Sequence, residues 1–108
     1  MNLEKGLPRV AEARIRLEQA LRTAKARRVP VLKIIHGYGS GGKGGAIRQD
    51  ARQLLEAKKR AGEIRGFVGG EDFSPFSAEA RQILDLFPEL SKDHDFSRGN
   101  DGITIVLI

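Results

Sequence analysis

The chain has 108 residues, 40% hydrophobic and 31% charged, which suits one domain, 1–108, with a single core. It contains no cysteine, which excludes disulfides, thiolate catalysis and cysteine-ligated zinc. No apolar run approaches the length of about eighteen residues needed to span a membrane, and MNLEKGLPRV lacks the apolar centre of a signal peptide, so a cytoplasmic protein without a membrane partner is expected.

In chain order, residues 2–5 (NLEK) are too short to assign alone, and Gly6 and Pro8 follow as a turn signal. From Pro8, Val10, Ala13, Leu17, Ala20, Leu21 and Ala24 recur at steps of three and four, which predicts an amphipathic helix with Arg27 and Arg28 in its last turn. Ile15 falls off this stripe and is expected to cover a sheet edge. Pro30 precedes Val31–Ile35, a predicted buried strand. After the loop HGYGSGGKGG, a second helix carries Ala46, Ile47, Ala51, Leu54 and Leu55 inward and Arg48, Arg52, Lys58, Lys59 and Arg60 on its solvent side. Residues 64–68 read as a strand stopped by Gly69 and Gly70.

Within residues 71–101, Ser77 is placed to cap a helix bearing Ala80, Ile83, Leu84 and Phe87, and Pro88 breaks it. The polar stretch SKDHDFSRGNDG follows, and Ile103–Ile108 closes the chain as an apolar strand suited to a central place in a sheet. The fold expected is a two-layer α/β sandwich ordered β-α-β-α-β-(α)-β. Its sheet is four-stranded and mixed, with the two main helices on one face and an inserted helix and acidic loop at about 70–101.

The charge is uneven. Residues 1–65 carry sixteen Lys/Arg against six Asp/Glu, a net +10, whereas 66–108 carry three against eight, a net −5. A basic front part favours polyanions, because contacts to phosphates release counterions from nucleic acid.

Three patterns overlap in the glycine loop. GYGSGG at 37–42 matches G-x-G-x-x-G, but a helix precedes it and the ribose-binding acid expected about twenty residues on is replaced by Ala57, Lys58 and Lys59. GYGSGGKG at 37–44 approaches the P-loop, yet Gly44 stands where a magnesium-binding hydroxyl belongs, and no later strand supplies a second metal anchor. The third reading is a phosphate nest made of glycine backbone N–H groups and a helix N-terminus, extended by Lys43, Arg48 and Arg52 and faced by His36. A tight turn anchored by His36 satisfies the same residues without any ligand.

IIHGYGSGG before a basic helix, the leading helix PRVAEARIRLEQALRTAK and the ending GITIVLI together resemble the Smr (small MutS-related) domain family. The family's HGxG motif is matched by His36-Gly37-Tyr38-Gly39, and its closing strand by Gly102-Ile103-Thr104-Ile105-Val106. The resemblance implies a fold like the C-terminal domain of bacterial translation initiation factor three and a DNA or RNA partner. It also implies nicking or cleavage in some members. The family's LDxH motif, however, is replaced here by Asn2-Leu3-Glu4-Lys5, with Leu3 at the Asp position and Lys5 at the His position. Glu4 is one residue out of register and is expected on the opposite face of a strand.

The expected function is nucleic-acid binding, with Gly37, Tyr38, Gly39, Ser40, Gly41, Lys43, Arg48 and Arg52 holding the phosphate backbone. The second reading is an endonuclease, with His36 as base or acid, Lys43 or Lys5 balancing charge, and Glu4 as the neighbouring carboxylate. Binding needs no cofactor; hydrolysis of DNA would call for a divalent metal, with Glu4, Asp93, Asp95 and Asp101 as the available carboxylates. His94 between Asp93 and Asp95 reads as a solvated turn, so no metal site is assigned. The alternative function is a protein-interaction module in which Phe73, Phe76 and Phe96 form a docking surface. The oligomeric state is not legible.

Overall fold

The computed structural model describes residues 1–6, 8–37 and 43–108, with the side chains of Lys43 and Gly44 outside the description. Its elements are α1 (Val10–Ala26), β1 (Val31–Ile35), α2 (Lys43–Arg60), β2 (Gly66–Gly69), α3 (Ala78–Leu86) and β3 (Ile103–Leu107). Short 3-10 turns follow β2 at Gly70–Asp72 and α3 at Pro88–Lys92.

Among the described residues the sheet has three strands in the order β1-β3-β2, and both pairings are antiparallel. The expected four-stranded mixed sheet is therefore corrected. Its missing strand is reduced to one parallel bridge, Asn2 to Ile35, with the Leu3 amide donating to the Ile35 carbonyl at 2.7 Å. The cause is local. Asn2 Oδ1 accepts the Glu4 amide at 3.0 Å, an Asx-type turn that takes the chain out of extended geometry directly after Leu3.

β3 sits at the centre, as its apolar sequence predicts, and all five of its residues are buried. Its side chains alternate between two cores. Val106 joins Leu3, Leu17, Leu21, Ile34, Ile47, Leu54 and Leu55 beneath α1 and α2. Ile103, Ile105 and Leu107 instead meet Val68, Phe73, Ala80 and Ile83 on the other face. Segment 70–101 thus roofs the second face of the sheet, and the two-layer expectation becomes three layers. Phe73 is fully buried and stacks edge-on against Phe96 with ring centroids 5.2 Å apart, so these two belong to the second core and not to a docking surface. Phe76 is exposed.

Ser77 caps α3 as expected, its hydroxyl accepting the Ala80 amide at 3.2 Å. Ile15 covers no sheet edge; it projects from α1 into solvent, 58% exposed. The fourth position of β1, Ile34, is fully buried. Lys33 beside it reaches across the second face to bind Asp93 at 2.8 Å and Asp95 at 2.6 Å. That ion pair fastens the acidic loop to the sheet.

α1 and α2 pack side by side and run in the same direction. Arg14 of α1 meets Asp50 of α2 near their starts at 2.9 Å, and Lys25 of α1 reaches the carbonyl of Glu63 beyond the end of α2 at 3.3 Å. The molecule consequently has two distinct ends. One gathers His36, the start of α2, Gly69–Glu71 and Asp101–Thr104; the other gathers the C-termini of α1 and α2 with Gly66 and Ile108.

Candidate nucleic-acid interface

His36 leaves the end of β1 and its side chain is completely buried. Its Nδ1 lies 2.8 Å from the Gly37 carbonyl oxygen and its Nε2 2.8 Å from Thr104 Oγ1. A carbonyl only accepts, so Nδ1 carries the hydrogen, and Nε2 of the neutral ring accepts from the threonine hydroxyl. Burial, with the positive charges of Arg52 and Arg48, lowers the His36 pKa and keeps the ring neutral; the Gly37 bond opposes this only in part. Thr104, itself fully buried, also receives a longer bond from Arg52 Nε at 3.4 Å. Donation thus runs from Arg52 through Thr104 and His36 to Gly37, and both ring nitrogens are occupied.

The backbone is anchored at the same place. The amides of His36 and Gly37 both donate to the Gly102 carbonyl at 3.0 Å, joining the exit of β1 to the entry of β3. Gly37 has φ +75°, and a Cβ there would collide with the Glu4 carboxylate. The Asx-type turn therefore brings Glu4 beside the HGxG turn, where strand geometry would have turned it away. Lys5 is exposed, and its carbonyl accepts from Arg16 at 2.8 Å. Leu3, at the position of the motif's acid, is buried in the first core.

Arg48 and Arg52 are half-buried rather than on the solvent side of α2. Arg52 forms a two-pronged pair with Glu71, its Nη2 lying 2.7 Å from Oε1, and its guanidinium also reaches the Asp101 and Ile103 carbonyls at 3.4 Å. Arg48 pairs with Asp101 at 3.3 Å and touches Glu71 at 4.0 Å, while its buried Nε has no hydrogen-bond partner among the described residues. Burial raises the Glu71 pKa, but the Arg52 bonds and the nearby guanidinium charges outweigh it, and the net direction is down. Glu71 is thus a carboxylate at neutral pH. Its role here, and that of Thr104, were not read from the sequence, because both depend on contacts between α2 and residues nineteen or more positions away.

Tyr38, Gly39, Ser40 and Gly41 lie outside the described residues, as does the Lys43 side chain. Among the described residues, contacts link His36, Gly37, Glu4, Arg48 and Arg52 into one cluster, and Lys5 makes no contact with it.

Among the described residues, Asp93, His94 and Asp95 form the one group with metal-ligand spacing. Both carboxylates are already committed to Lys33 Nζ, and His94 is 87% exposed. A divalent ion there would have to displace the Lys33 ammonium.

A family model for the Smr domain matches residues 5–68, more than half of the chain. The chain belongs to the Smr domain family. The solved Smr domain of Thermus thermophilus MutS2 is similar over 99% of this chain and 92% of that one, with 29% identity and a TM-score of 0.59. The sequence match ends inside β2, whereas this structural likeness runs on through residues 69–108. No curated protein sequence matches significantly. Smr domains are generally nucleic-acid-binding or nuclease-like modules. No helix among the described residues is long and apolar enough to cross a membrane.

Proposed function

We propose that this Smr domain binds DNA or RNA by seating the phosphate backbone at the glycine loop and the start of α2. The observation that carries the reading is the convergence of Gly37, the N-terminus of α2, Arg48 and Arg52 at one end of an Smr fold. Amides at a helix N-terminus and adjacent guanidinium groups are donors matched to phosphate oxygens.

We propose binding rather than cleavage. Proton transfer at His36 requires a ring nitrogen open to substrate, and both already hold internal bonds in a fully buried ring. Of the segment that stands in place of LDxH, Glu4 places its carboxylate beside Gly37.

The test is fluorescence anisotropy with labelled single-stranded and duplex DNA and RNA across a salt series. Affinity should fall steeply with salt, and Lys43→Ala with Arg48→Ala should weaken binding and reduce the log–log salt slope by about 2. Salt-insensitive binding, or none at low salt, would overturn the reading.

A further inference from the structure

The arginines at the HGxG end are already matched by carboxylates: Arg48 and Arg52 face Glu71 and Asp101. Arg14 is likewise matched by Asp50 and Glu18, and Lys33 by Asp93 and Asp95. A further share of the positive charge lies elsewhere.

It collects at the opposite end. Arg22 and Lys25 of α1, Arg27 and Arg28 after it, Lys58 of α2 and Arg65 before β2 converge there. Several contacts bring the segments that carry them together. Lys25 Nζ donates to the Glu63 carbonyl at 3.3 Å, Lys58 pairs with Glu63 at 2.9 Å, and the Arg65 amide donates to Leu107 at 2.9 Å. The Ile108 amide donates to Pro30 at 2.9 Å, closing the ring of segments. Between them lies an open groove of about 310 Å³, its walls including Arg22, Lys25 and Lys58 and its floor Leu21, Ile64 and Ile108. Three cations, Arg22, Lys25 and Lys58, line the groove with two carboxylates, Glu18 and Glu63, and Arg22, Arg27, Arg28 and Arg65 make no ion pair among the described residues.

Cations near a helix C-terminus relieve its dipole, but that effect fades within the last turn. Arg22 lies before the last turn of α1, and Arg65 is not on a helix at all. The dipole leaves both unaccounted for.

We propose that this basic groove is a second backbone-binding surface, which takes the same nucleic acid after it leaves the glycine loop. The inference rests on the binding function proposed above and extends it to the far end of the fold. The helices of 17 and 18 residues are each about 26 Å long at 1.5 Å per residue, which sets the separation of the two ends. At 3.4 Å per phosphate along a strand, that distance is about eight nucleotides. Nucleic acid long enough to span it engages both surfaces; a shorter piece engages one.

The experiment uses a labelled 20-base-pair DNA duplex, a 20-nucleotide RNA and five-nucleotide versions of each, with the parent and Arg22→Gln/Arg27→Gln/Arg65→Gln. The three side chains are exposed, so melting curves should be unchanged. The triple variant should bind the long probes at least about tenfold more weakly, lower the salt slope by about 2 to 3, and lose most of the advantage of long over short probes. Single Arg27→Gln and Arg65→Gln variants, each expected to remove up to about one unit of slope, keep the measurement readable should the triple variant fold poorly. Parent-like affinity and slope in the variants overturn this inference alone when Lys43→Ala with Arg48→Ala still weakens binding. A parent that binds no probe overturns both.

Discussion

His36 shows how one buried side chain can organise a turn. Its ring links the Gly37 carbonyl to Thr104, and its backbone amide holds Gly102, so the exit of β1 and the entry of β3 are tied twice. The neutral form makes all of these contacts, and burial beside Arg52 and Arg48 depresses the pKa below its ordinary value of 6.5. The consequence for stability has a definite sign. Above about pH 6.5 the ring is neutral in both the folded and unfolded states, and its contribution is complete. As the pH falls below that value, the unfolded chain takes up a proton that the folded chain refuses, and the contribution declines toward the lower folded pKa. The decline is at most about 1.4 kcal/mol per pH unit for one proton. Urea unfolding of the parent and of His36→Gln between pH 5 and 8 should give a stability difference that shrinks toward acid. His94 is present in both proteins and cancels. A difference that grows toward acid would mean that the ring is charged in the fold.

The elements differ in how far their sequence betrays them. The 3/4 spacing of Ala13, Leu17, Leu21 and Ala24 marked α1, and Ser77 marked the start of α3, because those signals are local. β3 was legible as a central strand since an apolar run without alternation needs cover on both faces. The lost fourth strand was not legible, because one Asn2 side-chain bond decides it. Nor was Lys33 in the middle of a buried-looking strand explained by its neighbours; its partners come sixty positions later. Hydrogen bonds and the charge of Lys33 hold the pKa values of Asp93 and Asp95 below the ordinary range although burial pushes them upward, and the Lys33 pKa rises against the same burial cost. At neutral pH all three groups are therefore charged. Lys33→Ala leaves two adjacent carboxylates over the sheet without their cation and should cost about 1–2 kcal/mol, less than a fully buried pair because the site is partly solvated. Adding Asp93→Asn should recover part of that loss in chemical unfolding at pH 7. Equal stability of parent and Lys33→Ala would show that other contacts, such as Phe73–Phe96 and the Ser97 amide to the Phe73 carbonyl, hold the loop without the ion pair.

At the scale of the whole molecule, the division of charge read from the sequence becomes a spatial one, though not the one the linear sequence suggests. The acidic second part does not form a separate face. It sends Glu71 and Asp101 onto Arg48 and Arg52, two of the residues expected to hold phosphate. These carboxylates orient the guanidinium groups and at the same time oppose an incoming anion. Their net effect on binding depends on which contribution is larger. Arg52 keeps its shape through bonds to Thr104 and to the Asp101 and Ile103 carbonyls, so orientation does not depend on Glu71 alone. Electrostatic opposition should then dominate. Glu71→Gln retains the side-chain length while removing one negative charge beside both arginines, and it should tighten nucleic-acid binding about threefold to tenfold at low salt, the scale of one charge interaction near a protein surface. The gain should vanish as salt is raised, because screening removes the repulsion that the substitution relieves. Anisotropy titrations of parent and Glu71→Gln at low and high salt check this directly. Weaker binding by the variant at both salt concentrations would mean that Glu71 serves chiefly to hold Arg52 in place, and that the arginine contacts phosphate only in the geometry the carboxylate imposes.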